Sequence, residues 1–262
     1  MGRHFTHKIS QGFTIVETML VLAVTGVLIV TLLVGVGGSI NAQRYMDSVV
    51  SLKSMLQDQY AMVNNVTNDR QTNVACGTST QTVSPGQSDC VLLGRYLSIA
   101  GGNVTTATIV GYSIGSAIGA TDVATIKANY QFGISTSSIE TKTLEWGSRI
   151  AWPVSGSGNQ PPNTTRNLTM IVIRSPQTGT SYTFTSDSVS IISDVNSALL
   201  TSMMVADTAA IPGQAQRTLC VEGGGSGPEV LAVYIDPAAS GPTSIETRSY
   251  ATIVALGGDS KC

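Results

Sequence analysis

Charged side chains are scarce in this chain and make up 11% of its 262 residues, against about 25% in ordinary soluble domains. Aromatic residues account for 5%, whereas the hydrophobic fraction is 42%. Disordered chains combine low hydrophobicity with high charge, so this composition excludes that class. It is typical of a β-rich extracellular domain, and the length allows one domain or one domain plus a membrane anchor.

Histidine is almost absent, because only His4 and His7 occur and both lie in the first twelve residues. This argues against Ser–His and Cys–His hydrolytic sites and against metal sites built on imidazole. The Gly-rich stretch 223–227 lacks the Lys-Ser/Thr pair of a phosphate loop, and Asp187 and Asp194 lack the spacing of a calcium loop. We therefore expect no catalytic residues, no metal and no cofactor, and a chain that is not an enzyme.

The basic residues are scattered, and the formal net charge at pH 7 is −2. Nucleic-acid binding relies on clustered Lys and Arg, so we do not expect nucleic acid as a partner. Trp146 and Trp152 are six residues apart and would share one face of an extended strand. We expect them to pack in the core, and the alternative is a stacking platform for sugars or bases.

Cysteine is rare as well, and the four residues are Cys76, Cys90, Cys220 and Cys262. An even number on an exported segment indicates two disulfides, for which three pairings are possible. We favour Cys76–Cys90 and Cys220–Cys262, whose loop closures would contribute roughly 3 and 4 kcal/mol. The alternative is four reduced thiols in the core. No C-x-x-C spacing occurs, which argues against a zinc or thioredoxin-type site.

The first part of the chain contains a long uncharged run, because no charged residue occurs between Glu17 and Arg44. As a helix, Thr18–Gln43 would extend about 39 Å and cross a hydrocarbon core of about 30 Å. The run is too long for the apolar part of a cleaved secretory signal peptide. Because residues 1–12 are basic, we expect a single-pass protein of the cytoplasmic membrane whose C-terminal side lies outside.

Helical periodicity continues beyond the apolar run, and no proline occurs before Pro85. We expect one continuous helix of about 50 residues, with residues 13–40 as its transmembrane half and residues 41–68 as its amphipathic half. Residues 1–12 precede it as a short basic flank, and residues 69–262 follow it as a β-rich head. One apolar stripe at spacings of three and four is predicted to pack on that head: Tyr45, Val49, Leu52, Leu56, Tyr60 and Val63.

Strand signals in the head predict an antiparallel sheet and therefore an α+β fold. Residues 168–174 and 181–186 flank a turn that contains Gly179, and residues 218–222 and 229–236 form a looser hairpin. We also predict strands at 249–256, 111–115, 122–134 and 188–195.

The stretch GFTIVETMLVLAVTGVLIV, which begins at Gly12, resembles the N-terminus of type IV pilins and type II secretion pseudopilins. The resemblance covers about thirty residues, and it implies cleavage by prepilin peptidase between Gly12 and Phe13 and N-methylation of Phe13. It also implies that the partners are other pilin subunits and an assembly platform in the membrane. A disulfide that encloses the last strands, here Cys220–Cys262, fits the same family.

The resemblance assigns Glu17 to filament assembly. A carboxylate at mid-membrane costs about 2.5–3.5 kcal/mol, and pairing with the Phe13 amine of a neighbouring subunit lowers the cost of both charges. The pair would fix the axial register of helix against helix. The alternative is a carboxylate that only reaches back to the membrane surface.

Many pilins carry a proline in this helix and this chain has none, but four glycines lie within it: Gly26, Gly35, Gly37 and Gly38. We expect the segment either to unwind in a filament, since glycine weakens helices, or to allow close helix packing.

Taken together, we expect a structural subunit of a type IV pilus-like filament. The length favours a minor pilin over a major pilin or a pseudopilin. A membrane-anchored adhesin or binding module is the competing class, with unknown adhesion target, and an anchored secreted enzyme is a third.

Overall fold

The computed structural model describes residues 12, 14–65, 90–153, 164–188, 192, 195–204, 217–223, 231–249 and 262. The chain has the predicted α+β fold, with a long N-terminal helix followed by antiparallel sheets. Phe13 and Cys76 lie outside the described residues, as do most of the predicted strands 188–195 and 249–256.

Helix α1 (Ile15–Asn64) is continuous over 50 residues, which confirms the predicted length. Thr14 caps its start, because the Thr14 side chain accepts a hydrogen bond from the Glu17 amide at 3.3 Å. The hydroxyls of Thr25 and Thr31 bond back to carbonyl oxygens one turn earlier, so these polar side chains are satisfied within the apolar run.

The two halves of α1 differ in what surrounds them. Large apolar side chains between Ile15 and Val36 are exposed. In the second half every residue of the predicted stripe is buried, which confirms that prediction: Tyr45, Val49, Leu52, Leu56, Tyr60 and Val63. The first half of α1, residues 15–40, is therefore an exposed apolar rod, and the second half continues into the core of the head.

The first sheet contains β1 (Cys90–Ala100), β2 (Asn103–Ser113), β3 (Tyr130–Ile134), β4 (Glu140–Thr143), β6 (Leu168–Arg174) and β7 (Ser181–Ser186). Its order is β3-β2-β1-β6-β7, with β4 paired to another part of β2. The second sheet contains β5 (Arg149–Ala151), β8 (Arg217–Glu222), β9 (Leu231–Ile235) and β10 (Ile245–Ser249), in the order β10-β9-β8-β5. The pairs between these strands are antiparallel.

Helix α1 packs against both sheets, because its buried stripe shares one apolar cluster with side chains from each of them. The opposite face of the first sheet forms a second cluster with helices α2 (Asp122–Asn129) and α3 (Ser197–Met203). The first sheet is thus covered on both faces, which explains the nearly uninterrupted apolar run of β6.

The hairpin at 168–186 matches its prediction, and Gly179 has a φ of 73° in the turn. The strands predicted at 218–222 and 229–236 correspond to β8 and β9. One prediction is wrong in part: residues 122–134 form α2 followed by β3, not one strand. The reason is local, since the Thr121 hydroxyl caps the helix by accepting from the Ala124 amide at 3.1 Å, and the Asp122 carboxylate is favourable near a helix N-terminus.

The Trp146 prediction is also wrong, because that side chain is 53% exposed. It lies in a short 3₁₀ turn (Glu145–Gly147), not on a strand. Trp152 follows β5 and is half-buried beneath the Arg166 guanidinium, 4.2 Å from the ring centre. The two rings therefore do not form one shared platform.

Candidate functional site

The start of α1 carries the residues that the sequence singled out. Gly12 is exposed and precedes the helix, and Glu17 lies exposed in its first turn. Thr14 and Glu17 have the spacing of a capping box, in which a carboxylate near the helix start interacts favourably with the free amides. Among the described residues, the Glu17 carboxylate forms no ion pair. The Glu17 side chain therefore suits the helix start and is accessible to a partner from outside the chain.

The four glycines of α1 all lie within the continuous helix. A side-chain carbon added at Gly26, Gly35, Gly37 or Gly38 would meet no other atom within 4 Å. Contacts within the single chain therefore do not require glycine at these positions, which leaves unwinding and close packing of neighbouring helices both as predictions.

Helix α1 is long and apolar enough to span a membrane. It is the only such helix among the residues that the structure describes. The apolar rod is exposed along its length, and water is an unfavourable environment for so large an apolar surface.

Side-chain hydrogen bonds hold the second half of α1 to both sheets. The Tyr45 hydroxyl accepts from the Leu231 amide at 2.7 Å, and burial raises the pKa of Tyr45. The Tyr60 hydroxyl lies 2.8 Å from the Thr183 hydroxyl in β7, and burial raises the pKa of Tyr60 to about 12. On another side of the helix, the Gln57 amide donates to the Ile245 carbonyl at 3.2 Å. These hydrogen bonds therefore fasten α1 to both sheets of the head.

A buried arginine joins the two sheets. The Arg166 side chain is 4% exposed and donates to one Asp187 oxygen at 2.8 Å. It also donates to the Thr218 carbonyl of β8 at 2.6 Å. Burial lowers the pKa of Arg166, and the Asp187 charge opposes that shift. Arg217, the first residue of β8, contacts the second Asp187 oxygen at 3.2 Å. Asp187 therefore pairs with two arginines, one ahead of β6 in the first sheet and one in the second sheet, and has a structural role.

Cys220 lies on a predicted strand, whereas Cys90 lies on β1, which the sequence did not predict. Cys90 is the first residue of β1. Cys220 in β8 forms a disulfide with Cys262, across 42 residues of sequence. This bond attaches residue 262 to the strand that precedes the Gly-rich stretch.

Within the described ranges, no group of three or more His, Cys, Asp or Glu residues is arranged to hold a metal ion. An open groove of about 530 Å³ runs along α1 beside the 3₁₀ turn. Its lining mixes Met46 and Val50 with charges of both signs, including Asp47, Lys142 and Glu145.

The sequence-based reasoning missed the contact between Arg44 and Trp146. The Arg44 guanidinium carbon lies 4.8 Å from the centre of the Trp146 ring. The exposure of Trp146, though not its contact with Arg44, had a local signal, since Trp146 precedes Gly147 within a short polar stretch where a turn would expose an aromatic side chain.

No protein-family model, no curated protein and no solved structure matches this chain.

Proposed function

We propose that this chain is a structural subunit of a type IV pilus-like filament, and specifically a minor pilin. The observation that carries the proposal is the combination of Gly12, Glu17 and the exposed apolar rod of α1, which continues without a break into the head. Such a rod must be covered by lipid before assembly and by other helices afterwards.

Glu17 supplies the specificity of assembly in this proposal. Prepilin peptidase removes residues 1–12 and leaves a positive amine on Phe13. Two opposite charges in a medium of low dielectric attract strongly, and each is costly there when alone. An incoming subunit therefore gains most when its Glu17 meets the amine of a neighbour, which selects one axial stagger.

Cleavage would leave 250 residues, a length that favours a low-copy subunit over the main building block of the shaft. The partners are other pilin subunits, prepilin peptidase and an assembly platform in the cytoplasmic membrane. The protein passes from that membrane, with its head outside, into an extracellular filament.

The experiment is N-terminal mass spectrometry of the protein purified from membranes of cells that contain a prepilin peptidase. The proposal expects a chain that begins with N-methylated Phe13, and expects Gly12→Val to yield the uncleaved precursor. A chain that still begins at Met1 would instead favour a membrane-anchored adhesin or binding module.

Immuno-electron microscopy of isolated filaments then distinguishes the roles within the family. A minor pilin is expected to be labelled at filament ends or sparsely. Dense labelling along shafts would identify a major pilin.

A further inference from the structure

Trp146 is held in an exposed and strained position. The side chain is 53% exposed, and its backbone has φ 57° and ψ 25°. A bulky residue in this left-handed region is an outlier, and such strain persists only where the flanking structure fixes it. Leu144 is 5% exposed in the core on one side, and on the other the Ser148 hydroxyl donates to the Glu145 carbonyl at 2.8 Å. The turn is thus fixed at both ends, and the indole projects outward.

The indole lies at a defined height along α1. It stacks with Arg44, the first charged residue after the apolar run and 27 positions beyond Glu17. At 1.5 Å per residue this separation is about 40 Å. A bilayer with its headgroups is about 40–45 Å thick. When Glu17 lies at the inner surface, Arg44 and Trp146 therefore lie at the outer headgroup layer.

Exposed apolar side chains connect this site to the rod. Ile40, Met46 and Val50 are 42%, 50% and 61% exposed. Nearby charges have both signs, since Arg44 and Lys142 are close to Asp47 and Glu145. A surface of mixed charge with an exposed indole matches the headgroup layer of a zwitterionic bilayer, where Trp is enriched.

We propose that Trp146, stacked on Arg44, is an interfacial anchor. It holds the head at the membrane–water interface on the outer face of the cytoplasmic membrane before the subunit enters a filament. The indole body lies against acyl chains, and the Arg44 stem extends along apolar surface while its guanidinium remains among the headgroups. The anchor fixes the depth of α1 and thereby keeps Glu17 near the opposite surface. The proposal rests on the proposed function only in requiring that α1 span the membrane.

The chain provides a matched pair of probes, because Trp146 and Trp152 are its two tryptophans. The full chain is reconstituted into phosphatidylcholine vesicles as the Trp152→Phe variant, which reports on Trp146 alone, and as the Trp146→Phe variant, which reports on Trp152 alone. Fluorescence is compared between ordinary vesicles and vesicles whose lipids carry bromine near the top of the acyl chain. We expect strong quenching and a blue-shifted emission for Trp146, and little quenching for Trp152.

Flotation of both variants with the vesicles separates the possible failures. If the chain does not float, α1 does not insert, and the membrane-anchored function fails. If it floats but Trp146 is quenched no more than Trp152, the anchor is refuted and the rest of the function stands. A blue shift that appears only at high protein-to-lipid ratio, without quenching, would make Trp146 a contact between subunits and also refute the anchor.

Discussion

The attachment of α1 to the head can be tested by truncating one side chain at its centre, in the variant Leu56→Ala. Leu56 is completely buried within the cluster that α1 shares with both sheets. The three carbon atoms lost account for about 2.4 kcal/mol of transfer free energy. The cavity left behind raises the expected loss to about 2.7–5 kcal/mol.

The matched control is Val50→Ala, six positions earlier in the same helix, where the side chain is 61% exposed. Its effect should be within about 0.5 kcal/mol. Urea unfolding of the full chain in detergent micelles, followed by circular dichroism, measures both free energies of unfolding. A loss of about 3 kcal/mol in unfolding free energy should lower the melting temperature by about 6–12 °C. If Leu56→Ala costs no more than Val50→Ala, α1 is not a core element of the head.

Three further predictions concern the head. Burial raises the pKa of Tyr60 to about 12, above the unfolded value of about 10. The contribution of the protonated hydroxyl to stability is therefore present below pH 10 and is lost as the pH rises toward 12. Urea unfolding at several pH values should show that Tyr60→Phe reduces the fall in unfolding free energy over this range. Asp187→Asn leaves the buried Arg166 without its counter-charge and should cost about 1–3 kcal/mol of unfolding free energy. Trp146→Asn relieves backbone strain at the expense of one cation–π contact and should raise the unfolding free energy by about 1 kcal/mol.

Each of these has a contradicting outcome. If Tyr60→Phe leaves the fall in unfolding free energy toward pH 12 unchanged, the Tyr60 hydroxyl has the same pKa in the folded and the unfolded chain. The exposed pair of Glu246 and Arg248 offers a control for Asp187, because Glu246→Gln should change the unfolding free energy by less than about 1 kcal/mol. An equal loss in both variants would remove the special role of Asp187. A clear loss of stability in Trp146→Asn would mean that the indole supports the fold.

The helix was predictable because two simple patterns coincide within it. The absence of charge from Thr18 to Gln43 and the spacing of residues such as Val49 and Leu56 both indicate a helix. In the structure the stripe of the second half is buried, and the first half is exposed. The hairpin around Gly179 was predictable for a similar reason, since two β-rich runs flank a glycine that adopts positive φ.

The β1–β2 hairpin escaped prediction although its signal is present. Gly101 and Gly102 form its turn with φ values of 55° and 95°, and a pair of glycines between β-rich runs is a known hairpin signature. The missed helix α2 is a different case. Its eight residues look like a buried strand by composition, and Thr121 decides the outcome through a cap that periodicity does not reveal.

The buried contacts of the head depend on tertiary arrangement. Arg166 and Asp187 are 21 residues apart, and the carbonyl that Arg166 also binds belongs to Thr218. Likewise Arg44 and Trp146 meet only because the 3₁₀ turn packs beside α1. No local pattern predicts such pairs, whereas the residues at the start of α1 were singled out by the resemblance of that stretch to pilin N-termini, and their role stays a prediction.

The most direct test of the assembly mechanism is filament incorporation of Glu17→Gln, which removes the charge while keeping a similar shape. Membrane insertion and N-terminal processing serve as internal checks, and Val16→Ala is the neighbouring control. The account predicts that Glu17→Gln is inserted and processed but absent from sheared filaments, whereas Val16→Ala is incorporated. Incorporation of processed Glu17→Gln at the level of the unaltered protein would contradict it.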